Sequence, residues 1–256
     1  MRSRSNLHAY QVRFVEFILA RRRVMGALSM GMGKTTSTLT AVSDLLDSFA
    51  VRRVLVIAPL RVARSVWKQE ALVWSHLQHL RFGLVLGSEK ERQAALQRAA
   101  DIYVVNRENV PWLVKRYGDR WPFDMVVVDE SSSFKSHASQ RFKALKKVIP
   151  SVSHVVLLTG TPSPNGLLDL WSQAYLLDFG VALGRTITDY RNRFFVQSWN
   201  GYSYSPKLGA QAKIESLLRP LVMSMNAEDY LELPELISLS VPVALPAKAA
   251  LEYSAF

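Results

Sequence analysis

The sequence predicts a doubly wound, mostly parallel α/β sheet with helices on both faces. Three observations predict it. Compact apolar runs rich in β-branched residues recur at 24–28, 54–58, 102–105, 125–129 and 154–159. They show little polar alternation, as strands buried on both faces of a parallel sheet do. Helical segments fill the intervals, so strand and helix alternate from residue 24 to about 160, the order that builds such a sheet.

The elements follow in turn. "VMGAL" (24–28) is the first strand, and "TTSTLTAVSDLL" behind it places Leu39, Val42, Leu45 and Leu46 on one helical face. "VLVIA" (54–58) and "IYVV" (102–105) are strands, and "SEKERQAALQRAA" (88–100) is built of strong helix formers. "MVVVD" (125–129) and "HVVLLT" (154–159) complete the expected strands. Past about residue 165 the texture changes. "LLDLWSQAYLLDFG", "ITDYRNRFFVQ" and "AKIESLLRPLVMSM" read as helices, with "SWNGYSYSPKLGAQ" (198–211) as a loop or hairpin and "LPELISLSVPVALP" as extended chain. This is a mainly helical C-terminal appendage on the sheet domain. No internal repeat or low-complexity tract is visible.

Composition narrows the function classes. The 256 residues suffice for one large domain or two small ones, and 49% are apolar, enough for a globular core. No run approaches the ~20 apolar residues of a membrane span. The basic N-terminus leads into "VRFVEFILARRR" without a small-residue cleavage site, so neither a membrane partner nor a signal peptide is expected. The absence of cysteine excludes disulfides, thiolate metal sites and a cysteine nucleophile, and suits a reducing cytoplasm. The five histidines lack metal-ligand spacing with acidic partners. A net charge of +11 draws polyanions, nucleic acid foremost, although a basic surface also serves solubility.

Three motifs carry chemistry. "GALSMGMGKTTSTL" (26–39) matches the end of the phosphate-binding pattern G-x-x-x-x-G-K-[ST], with Leu28 where the first glycine belongs. Such a turn binds phosphate when its N–H groups point inward and a helix starts directly behind. Met30, Gly31, Met32, Gly33, Lys34, Thr35 and Thr36 would form that cradle. Lys34 would reach the β and γ phosphates of ATP, and the Thr35 hydroxyl would ligate Mg²⁺. "MVVVDESS" sets Asp129 at a strand end, where it would hold Mg²⁺ through water, with Glu130 beside it as general base. A turn capping the next helix is the bland alternative. "LLTGTPSPNG" places Thr159, Gly160 and Thr161 past a strand end, where hydroxyls would couple the acidic pair to motion on hydrolysis. A plain turn explains that segment equally well. The catalytic expectation is Lys34, Asp129 and Glu130, with the glycine turn and the acidic pair side by side at the carboxyl rim of one sheet.

With these motifs in order, the chain resembles the first RecA-like, P-loop ATP-binding lobe of a superfamily 2 helicase-like ATPase of the Swi/Snf branch. "LHAYQVRFVEFIL" is similar to that family's entry segment, in which Gln11 would recognise adenine. "SMGMGKT" resembles its first motif, which tolerates a residue such as Leu28. "VIAPLRVARSVWKQEALVW" matches the next at Pro59, Leu60, Trp67, Glu70 and Trp74, "VVVDESSSFKSHASQRFKAL" matches the acidic box through Lys135, and "LLTGTPSPNGLLDLW" matches through Asn165, Leu170 and Trp171. "ELPELISLSVPVALPAKAALEYSAF" resembles the connector to a second lobe. The implied organisation is a core at 1–165, a helical and loop appendage of the same lobe at 166–240, and the connector at 241–256. The small bacterial and phage members are the nearest likeness in texture. Departures are Ser29 in place of an acidic residue, Ser132 in place of a histidine, and "LLRPLVMSM" without paired arginines.

The resemblance implies ATP and Mg²⁺ as cofactors, and double-stranded DNA or, less favoured, RNA as partner. A second RecA-like lobe, in the full-length chain or supplied separately, would complete the site with an arginine. This lobe alone is therefore expected to hydrolyse ATP slowly. Nucleic acid would lie along Arg61, Arg64 and Lys68 behind the second strand, and along Asn106 and Arg107 behind the third, though solvated surface remains an equal reading of each. Trp67 and Trp74 read as core packing, and Arg21, Arg22 and Arg23 as solvent-facing. A nucleic-acid-binding scaffold without motor activity is the alternative. A P-loop kinase or small-molecule transferase is a third class.

Overall fold

Seven strands form one parallel sheet in the order β3-β4-β2-β5-β6-β1-β9. Their ranges are β1 Arg23–Leu28, β2 Val54–Ala58, β3 Phe82–Val85, β4 Ile102–Asn106, β5 Met125–Asp129, β6 His154–Thr159 and β9 Val222–Met225. A separate antiparallel pair joins β7, Phe195–Gln197, to β8, Tyr204–Pro206. The computed structural model describes residues 1–160, 166–199, 201, 203–230, 246 and 253.

Unbroken apolar runs make this sheet because alternate side chains feed two separate cores. Leu55, Ile57, Val126, Val128, Val155 and Leu157 face one, while Val54, Val56, Val127, Val156 and Leu158 face the other. A polar residue at any of these places would be stranded on one face or the other. Helices α1 (Ala9–Ala20), α2 (Lys34–Asp47) and α3 (Leu60–Val73) cover the second face. The first is covered by α4 (Glu89–Gln97), α5 (Val110–Tyr117), α6 (Gln140–Val148), α7 (Leu170–Asp178), α8 (Ile187–Phe194) and α9 (Ala210–Leu218). Each fully buried Val or Leu contributes about 1.5–3 kcal/mol.

Local signals set the helix starts. Ser88 and Glu91 form a capping box at α4, and the Ser139 hydroxyl accepts from the Phe142 N–H at α6. In α2 the buried hydroxyls of Ser37 and Thr40 donate back to the carbonyls of Gly33 and Thr36, at 3.1 and 2.9 Å. Those two hydroxyls are thus satisfied inside the core, whereas the buried Thr38 hydroxyl has no partner among the described residues.

The structure differs from the sequence reading at four points. Both edge strands, β3 and β9, were outside it. Residues 212–225 are not one helix: α9 stops at Leu218, just before Pro220, and Val222–Met225 pair with β1 as β9. "ITDYRNRFFVQ" likewise splits into α8 and β7. Arg23 is not solvent-facing. Its guanidinium donates to the carbonyls of Leu176 (3.3 Å), Ile149 (3.0 Å) and Val152 and lies over the Phe179 ring. Among the described residues, no helix is long and apolar enough to cross a membrane.

Candidate functional site

β1 ends at buried Leu28, and the turn that follows is anchored at both ends. The Ser29 N–H donates to the Met225 carbonyl of β9 at 3.1 Å, and the Met32 side chain is fully buried in the core. Met30 between them is 84% exposed, so it contributes backbone rather than a wall. Gly31 and Gly33 both have positive φ, 80° and 69°. A Cβ on Gly31 would meet nothing within 4 Å, so the space before the turn is open. A Cβ on Gly33 would collide with the Gln11 amide. Gln11, buried in α1, is therefore packed directly against the turn, its Oε1 accepting from the His8 N–H at 2.9 Å.

Gly33 is also the N-cap of α2, whose first turn presents unpaired N–H groups and the positive end of its dipole. The Lys34 Nζ donates to the Leu28 and Ser29 carbonyls at 2.7 and 3.2 Å. Burial pushes the Lys34 pKa down, and Asp129 and Glu130 partly offset that shift. Lysine and acidic pair therefore share one field.

The sheet register explains how they meet. Ala27 of β1 pairs with Thr159 of β6, and Leu158 of β6 pairs with Asp129 of β5, so the three strand ends share one rim. β6 lies between the strand that ends in the turn and the strand that ends in the carboxylate. Asp129 accepts from Trp67 Nε1 at 3.0 Å. Burial raises its pKa, the indole bond and Lys34 lower it, and Glu130 raises it again. Glu130 adopts a left-handed backbone, φ 54°, and its Oε1 accepts from the Ser132 hydroxyl at 2.7 Å. Ser131 donates to Gln173 at 2.7 Å and Lys135 pairs with Asp169 at 3.4 Å, so the acidic turn is bound to the chain following β6. Thr159 is fully buried at the end of β6 and Gly160 follows it; Thr161 and Asn165 lie outside the described residues.

A cavity of about 570 Å³ opens beside the glycine turn, bounded by Gln11, Gly33, Lys34, Thr35, Thr36 and Glu70. That volume suits a nucleotide. Arg2, His8, Tyr10 and Trp74 complete its wall, with the His8 and Tyr10 rings stacked at 5.3 Å. Among the described residues no cluster of three or more His, Asp or Glu could hold a metal by itself. Thr35 and Asp129 are the oxygen donors at hand for Mg²⁺ carried by a triphosphate. The open ground before Gly31, the half-buried helix N-terminus and a lysine whose hydrogen bonds, among the described residues, go to main-chain carbonyls fit Mg–ATP.

Elsewhere, Arg61, Arg64 and Lys68 are exposed on α3. Asn106 is buried, donating to Glu108 at 3.0 Å and accepting from Asn109 at 2.5 Å. Arg107 is half-buried and paired with Glu108 at 2.9 Å. Trp67 and Trp74 are buried, in keeping with core packing, yet each indole N–H also donates to a carboxylate at the site. Sequence spacing gave the buried face of α3 but not these partners.

The family model described as SNF2-related domain matches residues 10–241. The chain belongs to this family. Within the SNF2-related family it is 41% identical over 259 aligned residues to putative protein p41 of Acyrthosiphon pisum secondary endosymbiont phage 1, covering 96% of this chain and 56% of that one. It is 31% identical over 180 residues to an uncharacterized ATP-dependent helicase of Mycoplasma genitalium, covering 66% of this chain and 16% of the other. The SWI2/SNF2 ATPase core of Sulfolobus solfataricus, solved in complex with dsDNA, superposes with TM-score 0.71 at 24% identity, over 87% of this chain and 45% of that one. That likeness establishes the RecA-like fold. This SNF2-related chain spans about half the length of its phage relative and less of the others.

Proposed function

We propose that this chain is the ATP-binding lobe of an ATP-dependent nucleic-acid translocase that hydrolyses ATP to ADP and phosphate, with double-stranded DNA as the favoured track. The observation that carries the reading is the meeting of Lys34, Asp129 and Glu130 at the N-terminus of α2 beside the cavity. Support for the track comes from the net charge of +11, the exposed arginines of α3, and a structural relative solved in complex with dsDNA. The core, appendage and connector at 1–165, 166–240 and 241–256 belong to the same reading, as does a cytoplasmic location in a bacterial or phage-infected cell.

Lys34 exchanges its carbonyl partners for β and γ phosphate oxygens, while N–H groups of Gly31 to Thr36 bind the remaining oxygens. Gln11 faces the base. Thr35 and Asp129 hold Mg²⁺, which when bound neutralises charge on the phosphoryl oxygens. Glu130 orients the attacking water and accepts its proton. Thr159 and Gly160, with Thr161, couple the acidic turn to motion. An arginine from a second RecA-like lobe completes the site.

The test uses the full-length protein. Lys34→Ala is expected to weaken nucleotide binding, and Glu130→Gln to keep binding but lose hydrolysis. A full-length wild type that binds DNA yet hydrolyses no ATP would leave the scaffold reading in its place.

A further inference from the structure

We propose that Trp67 and Glu70 are positioning residues of the nucleotide site, which makes α3 the member that holds both its acidic and its phosphate-binding side. The proposal rests on the nucleotide reading above. Trp67 is fully buried, and its indole, which can only donate, gives its one N–H to Asp129 Oδ2 at 3.0 Å. That bond holds one carboxylate oxygen of Asp129 against the helix. One turn further on, Glu70 Oε1 accepts twice, from the Thr36 hydroxyl and from Trp74 Nε1 at 3.0 Å. Thr36 lies in the first turn of α2, next to Thr35.

Residues 67, 70 and 74 are three and four apart, so they share one face along α3 and its end. Packing alone would be served by apolar side chains there. A half-buried carboxylate that bridges two donors fixes geometry instead. The exposed Arg61 and Arg64 stand on the same helix, so a force on the basic surface reaches both contacts through one rigid body.

The experiment measures ADP affinity of the full-length protein by calorimetry, with Mg²⁺ and with EDTA. In Trp67→Phe the tightening produced by Mg²⁺ is expected to shrink about tenfold, the scale of losing one bond to a charged group. ADP affinity in EDTA changes less than twofold. Because Trp67 acts through Asp129, the same change adds nothing in an Asp129→Asn background. At Glu70 the amide oxygen of Gln accepts both donors, so Glu70→Gln behaves as wild type. Glu70→Leu weakens ADP about tenfold in both conditions.

Wild-type tightening in Trp67→Phe, or equal affinities in Glu70→Leu and Glu70→Gln, overturns the proposal while leaving the nucleotide site intact. A wild type that binds no nucleotide overturns both. Should Trp67→Phe melt below the assay temperature, the Glu70 pair decides alone.

Discussion

Replacing Gly33 by alanine separates two costs that the structure distinguishes. The backbone cost comes first. At φ 69° and ψ 34° the residue is left-handed, and an L-side chain there costs about 1–2 kcal/mol. The steric cost is added to it. The new Cβ occupies the place of the Gln11 amide, which must move and give up its bond to the His8 N–H, at about 0.5–1.5 kcal/mol. Gly31 is the internal control, since its φ is 80° but the space around it is open. Gly31→Ala therefore bears the backbone cost alone. In thermal denaturation Gly33→Ala is expected to melt about 2–4 °C below Gly31→Ala, the shift for ~1 kcal/mol in a chain this size. Combined with Gln11→Ala, its cost falls short of the sum of the single changes by about 1 kcal/mol. With Gln11 displaced, ATP affinity falls about tenfold or more. Equal melting of the two alanine variants, or strict additivity with Gln11→Ala, would refute the reasoning.

Lys34→Ala removes a half-buried cation, so it leaves the melting temperature unchanged or higher, while fluorescent-nucleotide titration shows binding weakened about 10- to 100-fold. Arg61→Glu with Arg64→Glu lowers affinity for DNA of any sequence and flattens the salt dependence by about two phosphate contacts, read from binding at several salt concentrations. Burial depresses the pKa values of His76, His137 and His154. With folded values below the ordinary 6.5, the unfolded chain takes up protons first as pH falls. Stability is therefore intact above about pH 6.5 and declines below it. His154, with Arg22 and Arg23 nearby, contributes to that decline, so His154→Asn is expected to flatten the melting temperature between pH 7 and pH 5. An unchanged slope would count against it.

The five central strands were legible because burial on both faces demands unbroken apolar runs, and no helix of four to six residues competes for them. The edge strands carry a weaker signal. β3 buries only alternate residues, and β9 follows a helix whose apolar spacing runs on unless Pro220 is taken as its stop. Gly33, Lys34 and the Asp129–Glu130 pair were visible as residue types that phosphate and metal chemistry require. The place of β6 between them was not, because strand order is set by crossover connections rather than by anything local. Trp67 and Glu70 show the same limit. Spacing along a helix tells which side is buried, but a partner 62 or 34 residues away depends on how two elements dock.

The bond from Ser29 to Met225 bears on where the protein could be divided. A cut after Thr159, the last strand evident to the eye, would strip β9 from the flank of β1. The bared amides and carbonyls would invite neighbouring molecules to pair, and the loop hanging from β1 would lose one of its two moorings. The C-terminal third is thus foundation rather than freight: a fragment without it would aggregate before it met its first nucleotide.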